Sequence, residues 1–204
     1  MRLIRPVGKT EVKRAFIVAQ YIRKRRDGRY LKTLSEKEFA RKLAAAKKYA
    51  KGFDDAKLDR AIGKEDATRR DDYNAVRWYL GTVKMREVGV WNGAGGLPFL
   101  WTKGSLEETG KKVARALNAD PGVLKSRARR AILGILKTSF RAVQEEKYLL
   151  PIVLPGGFRK SCRKGSKIFR GDVDDGCMRS IALAVAGQKT MRVYMGIRKK
   201  KSGK

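Results

Sequence analysis

The chain has 204 residues, of which 50 are Lys or Arg, 20 are Asp or Glu and none is His, for a formal charge of +30. A hydrophobic share of 42% is enough for a packed core, so wholesale disorder is excluded. The charge is spread along the chain: residues 147–204 alone carry 15 Lys or Arg against three Asp. Such a body repels itself unless a polyanion neutralises it, and the expected polyanion is nucleic acid.

Cys162 and Cys177 lie fifteen positions apart with no His to complete a ligand set, so a zinc site is not expected and two reduced thiols are. No apolar stretch approaches twenty residues and no signal-peptide pattern opens the chain. The expected setting is cytoplasmic or virion-associated, without a membrane partner.

The first nine residues read as irregular, broken by Pro6 and Gly8. Thr10 is placed to cap a helix to about Arg26 with Phe16, Ile17 and Ile22 inward. Ser35 followed by Glu38 is a capping box for a helix to about Ala50, with Phe39, Leu43 and Ala46 in its stripe. Asp54 or Asp55 caps a short helix carrying Leu58 and Ile62, and a fourth helix is expected over Asp66–Leu80. Thr82–Trp91 alternates like a strand. The glycine loop 93–96 leads into Leu97–Trp101, which reads as too apolar to stand free in water.

Ser105 with Glu108 is a second capping box, for a helix to about Leu117. Asp120-Pro121 opens the longest expected helix, Pro121–Glu146, with Leu124, Ile132, Leu136, Phe140 and Val143 on one stripe. Tyr148–Leu154 reads as a strand, edge or interrupted because of Pro151, and 155–157 as a turn. Asp174 or Asp175 is placed to cap a helix through Ala186, with a strand as the rival, and Thr190–Ile197 reads as a strand. The fold class is α+β: a helix-rich N-terminal region (1–90), a Gly-rich connection (91–104), a smaller α+β region (105–197) and a basic tail (198–204).

The candidate nucleic-acid contacts are clusters. Arg23, Lys24, Arg25 and Arg26 end the first helix, where cations also suit the helix dipole. Lys47 and Lys48 end the second. Arg127, Arg129, Arg130, Lys137 and Arg141 lie on the long helix, and Arg159, Lys160, Arg163, Lys164, Lys167 and Arg170 crowd one loop. Tyr30 and Phe169 sit between cations and are candidates for base stacking. No P-loop, zinc finger or RNA-recognition signature is present, so no cofactor is expected.

The leading expectation is a non-enzymatic RNA- or DNA-binding subunit of a ribonucleoprotein, phage or other viral nucleoprotein assembly, with other protein subunits as partners. One alternative is a small metal-dependent nuclease using Asp172, Asp174 and Asp175 to hold Mg²⁺. Another is a structural protein docked on an acidic partner.

Overall fold

The computed structural model describes residues 1–24, 35–119 and 149–199. Its centre is a mixed six-stranded sheet in the order β1-β2-β6-β4-β5-β3. The strands are β1 (Arg2–Val7), β2 (Val76–Lys84), β3 (Val88–Gly89), β4 (Ile152–Pro155), β5 (Gly171–Asp175) and β6 (Thr190–Arg198). The described helices are α1 (Lys9–Lys24), α2 (Glu36–Lys51), α3 (Asp55–Glu65), α4 (Ala67–Ala75), α5 (Phe99–Thr102), α6 (Leu106–Ala119) and α7 (Cys177–Val185). The chain is therefore α+β, as the sequence indicates.

Alternation along the strands explains the layering. In β4, Ile152 and Leu154 belong to one core cluster and Val153 to the other. In β6, Val193 and Met195 face one way and Tyr194 the other. Successive side chains of a strand point to opposite faces, so both faces of the sheet are covered. Helices α1–α4 cover one face through Phe16, Leu43, Leu58, Ile62 and Tyr73. Helices α6 and α7 cover the other through Leu106, Val113 and Ile181. Full burial of each large apolar side chain contributes roughly 1.5–3 kcal/mol.

The local start signals hold. Ser35 and Glu38 form the reciprocal capping box of α2, and Asp54 accepts from the Lys57 amide to cap α3. At α6 the Ser105 amide donates to Glu108 at 2.7 Å and the Glu108 amide to Ser105 Oγ at 3.2 Å. Thr10 is not a cap. It lies inside α1 and its hydroxyl donates to Asp55 at 3.0 Å. Asp55 also takes Lys9 at 2.9 Å and the fully buried Lys13 at 3.0 Å, which clamps the start of α3 to α1. Burial would raise the Asp55 carboxyl, but these three donors outweigh it and hold it at about 2.

Several expected boundaries move, each through pairing between distant segments. Arg2–Val7 is an edge strand antiparallel to β2, not an irregular lead, and an edge tolerates Pro6. The fourth helix stops at Ala75. Val76–Lys84 instead pairs with β6 over nine registered positions, with Val76, Trp78 and Leu80 turned inward. The expected strand Thr82–Trp91 is split by a 3-10 turn at Met85–Glu87. β4 is interior, between β6 and β5; Pro151 precedes it and Pro155 ends it, so no ladder bond is lost in its middle. Asp172–Asp175 lie in β5, and α7 starts after Gly176 at φ 85° without a side-chain cap. The helix rather than the strand holds at 177–185. Connection 91–104 does not divide the sheet, because strands from both sides of it interleave. The long helix expected at 121–146 lies outside the described residues.

Helices α6 and α7 cross at Gly110. A Cβ there would meet Ala184 Cβ at 2.6 Å and its carbonyl carbon at 2.8 Å. Gly110→Ala should therefore lower the melting temperature, although alanine is the better helix former by about 1 kcal/mol. Gly52→Ala has open space around it and should leave the melting temperature nearly unchanged. Differential scanning calorimetry of the two variants checks the packing.

Candidate nucleic-acid interface

The basic loop at 159–170 divides into two functional groups once folded. Arg159 is nine-tenths buried and bound by three carboxylates. It reaches Asp66 at 2.5 Å, Asp174 at 2.9 Å and Asp72 at 3.3 Å. Arg69 of α4 grips the same Asp174 at 2.8 Å, and the Tyr73 hydroxyl donates to it at 2.8 Å. Both guanidiniums lie over the Trp91 ring, at 5.3 and 5.4 Å. Burial works against the Arg159 charge, but the bonds to Asp66 and Asp174 outweigh it and raise its pKa.

Arg163 is also internal. It pairs with Asp172 at 3.0 Å and donates to the carbonyls of Val90, Lys103 (3.2 Å) and Lys167 (3.1 Å). Gly89 leaves room for it, since a Cβ there would sit 2.5 Å from the guanidinium carbon. Burial lowers the Arg163 pKa and raises that of Asp172, against their mutual attraction. Arg159 and Arg163 are thus corrected from phosphate contacts to internal ties, because their donors are spent on buried acceptors.

The same pairs correct the Mg²⁺ candidates. Asp172 is held by Arg163, Asp174 by Arg69 and Arg159, and Asp175 by Arg179 at 3.1 Å and Gln20 at 3.2 Å. Each carboxylate faces its own donor, and among the described residues no three acidic or cysteine side chains converge on a metal position. Cys162 and Cys177 are not joined in a disulfide; burial pushes the Cys177 thiol up to about 12.

The second group faces outward. Lys164, Lys167 and Arg170 are exposed, and Arg170 has the Glu87 carboxylate at 3.4 Å. Lys167 borders a surface depression of about 510 Å³ shared with Leu100, Lys103, Gly104, Glu108 and Lys112. Among the described residues no carboxylate lies within 4.0 Å of Lys103, Lys112 or Lys167. Glu108 is occupied by the Ser105 backbone, which lowers its pKa, with the charges of Lys112 and Lys167 adding to the effect. Three cations thus stand against one engaged anion around this depression.

The apolar run before it behaves in two ways. Leu97 is buried and Trp101 packs on the core, but Phe99 is 43% and Leu100 68% exposed. The expectation that the whole run would be hidden is corrected. Leu97, in extended backbone ahead of Pro98, and Trp101, within α5, face inward, while Phe99 and Leu100 turn out. Phe169, in contrast, is half-buried beside Arg163 and Lys167 at 5.2 and 5.9 Å.

Of the other candidates, Arg23 is exposed at the end of α1, and Lys47 and Lys48 are exposed on α2. Lys24 falls in α1 and Lys160 in a 3-10 turn. Arg25, Arg26, Tyr30, Arg127, Arg129, Arg130, Lys137 and Arg141 lie outside the described residues, as do 200–204 of the tail. Sequence reasoning missed Lys103, Lys112 and Phe99 as site residues. Lys103 stands alone and Lys112 has only Lys111 beside it, and the fold brings both to the depression that Lys167 borders. No described helix is long and apolar enough to cross a membrane. Compared with known proteins, the chain matches no family model, no curated protein and no solved structure.

Asp174→Asn should destabilise the protein by about 3–5 kcal/mol, since it leaves two buried guanidiniums short of their counter-charge. Lys167→Gln should stay within about 0.5 kcal/mol of wild type, as an exposed change with no ion pair. Urea denaturation of both variants separates the structural cations from the surface ones.

Proposed function

We propose that this protein binds nucleic acid through its phosphate backbone, with limited base discrimination, as a subunit of a nucleoprotein assembly. The observation that carries this reading is how the charges are sorted. Carboxylates including Asp55, Asp66, Asp172, Asp174 and Asp175 are used up on internal or local cations. Lys103, Lys112, Lys164 and Lys167 are left on the outside without such partners among the described residues. A field of this kind attracts polyanions at long range and is stabilised by contact with them.

The nuclease alternative loses its proposed ligands to arginine. Docking on an acidic protein would satisfy the same lysines, but such a partner offers scattered carboxylates. A phosphate backbone offers charge at regular short spacing, which suits several lysines around one depression.

Binding should be strongly salt-dependent. Contact with six to ten phosphates should cost about 10³–10⁵ in affinity between 50 and 200 mM salt. The triple variant Lys103→Gln, Lys112→Gln, Lys167→Gln should lower the slope of log affinity against log salt by about 2 to 3. Fluorescence anisotropy with labelled oligonucleotides measures both. A flat salt response in the wild type, or an unchanged slope in the triple variant, contradicts the reading.

A further inference from the structure

We infer that the surface beside the lysine depression is a stacking platform for unpaired nucleotides, so that the site takes single-stranded in preference to duplex nucleic acid. The inference rests on the nucleic-acid reading above and adds the form of the ligand.

The platform is the outer side of α5. Phe99 and Leu100 project to solvent there, and Ile168, next in sequence to Lys167, is 68% exposed. Phe99 and Leu100 are adjacent and stand beside the lysines, and exposed apolar side chains grouped in this way with a polar rim suit a contact surface. They are also held in place. Leu97 and Trp101 anchor the turn in the core. The Thr102 hydroxyl accepts from the Gly93 amide at 2.9 Å and donates to the Phe99 carbonyl at 3.1 Å. Lys112 donates to the Leu100 carbonyl at 2.7 Å, and Arg163 to the Lys103 carbonyl at 3.2 Å. The Phe99 ring lies against the loop at Gly165, where a Cβ would stand 3.9 Å from the ring. An apolar face fixed in this way binds without first being ordered.

The chemistry of the neighbours selects the occupant. Lys103, Lys112 and Lys167 border the depression that begins at Leu100. A ligand that satisfies both halves carries regular negative charge and flat apolar faces on one chain. Unpaired nucleotides do so, with phosphates on the lysines and a base face on Phe99. A duplex presents the same phosphates, but its base faces are stacked on one another, so Phe99 and Leu100 would be desolvated against nothing apolar.

The test is a competition at fixed salt between a single-stranded oligonucleotide and its duplex, using the full chain. Single strand should bind at least about tenfold tighter. Phe99→Ala should weaken single-strand binding by about 5- to 160-fold, the span of base–aromatic stacking, and leave duplex binding unchanged. Phe99→Trp should restore it. The lysine triple variant should weaken both forms. Equal or tighter duplex binding, or a Phe99→Ala loss that is the same for both forms or absent for both, overturns the inference while leaving the proposed function standing. Failure to bind either form overturns both. If Phe99→Ala instead abolishes self-association in sedimentation and leaves oligonucleotide binding intact, the platform belongs to a protein interface and the inference falls.

Discussion

The Asp174 carboxylate is the contact on which the rest of the structure depends. It is almost fully buried on β5 and receives Arg69 from α4, Arg159 from the turn after β4, and the Tyr73 hydroxyl. Two segments, α4 from 105 residues upstream and the turn after β4, are thereby joined to one strand. A buried charge is costly unless its hydrogen-bonding capacity is filled. Here four oxygen-directed contacts fill it, with Asp66 and Asp72 balancing the second guanidinium. Trp91 closes the cluster beneath the two arginines. A second tie of the same kind, Arg163 on Asp172, fastens connection 91–104 to the loop 159–170 and so fixes where α5 stands.

This arrangement has a consequence for the exterior. A chain with 20 acids among 50 Lys and Arg has few carboxylates to spare. Spending several of them inside leaves the surface more one-sided than the composition suggests. On the proposed reading, the residual cations that the protein does not neutralise itself are met by nucleic acid. The interior network thus sharpens the charge that the outside presents, and on the proposed reading stability and polyanion affinity draw on one supply of carboxylates.

Local signals were readable from the sequence. The two Ser-x-x-Glu boxes and the Asp54 cap start helices where expected, because capping is settled within four residues. The stripes of Phe39, Leu43 and Ala46 and of Leu58 and Ile62 are buried for the same reason. The sheet was only partly legible. β1 and β2 exist because each has an antiparallel neighbour from elsewhere, and the run Val76–Leu80 follows a helix without any breaker to announce the change. The apolar stretch around Pro151 suggested an edge or interrupted strand; pairing with β5 and β6 makes it central, with its register shifting between Ile152 and Val153. Charge was the least legible feature. Arg159, Arg163 and Lys167 look alike in one basic loop; only the positions of Asp172 and Asp174 decide that the arginines turn inward and the lysine outward. Lys103 and Lys112 gave no signal of their own, since the site they share exists only where α5, α6 and the loop meet.

The most direct measurement is to purify the protein at low ionic strength without nuclease treatment and analyse what comes with it. The account predicts an absorbance spectrum dominated by nucleic acid. It also predicts that the contaminant is digested by single-strand nuclease and shed in high salt. A preparation free of nucleic acid at low salt, with no uptake of an added oligonucleotide, would contradict it.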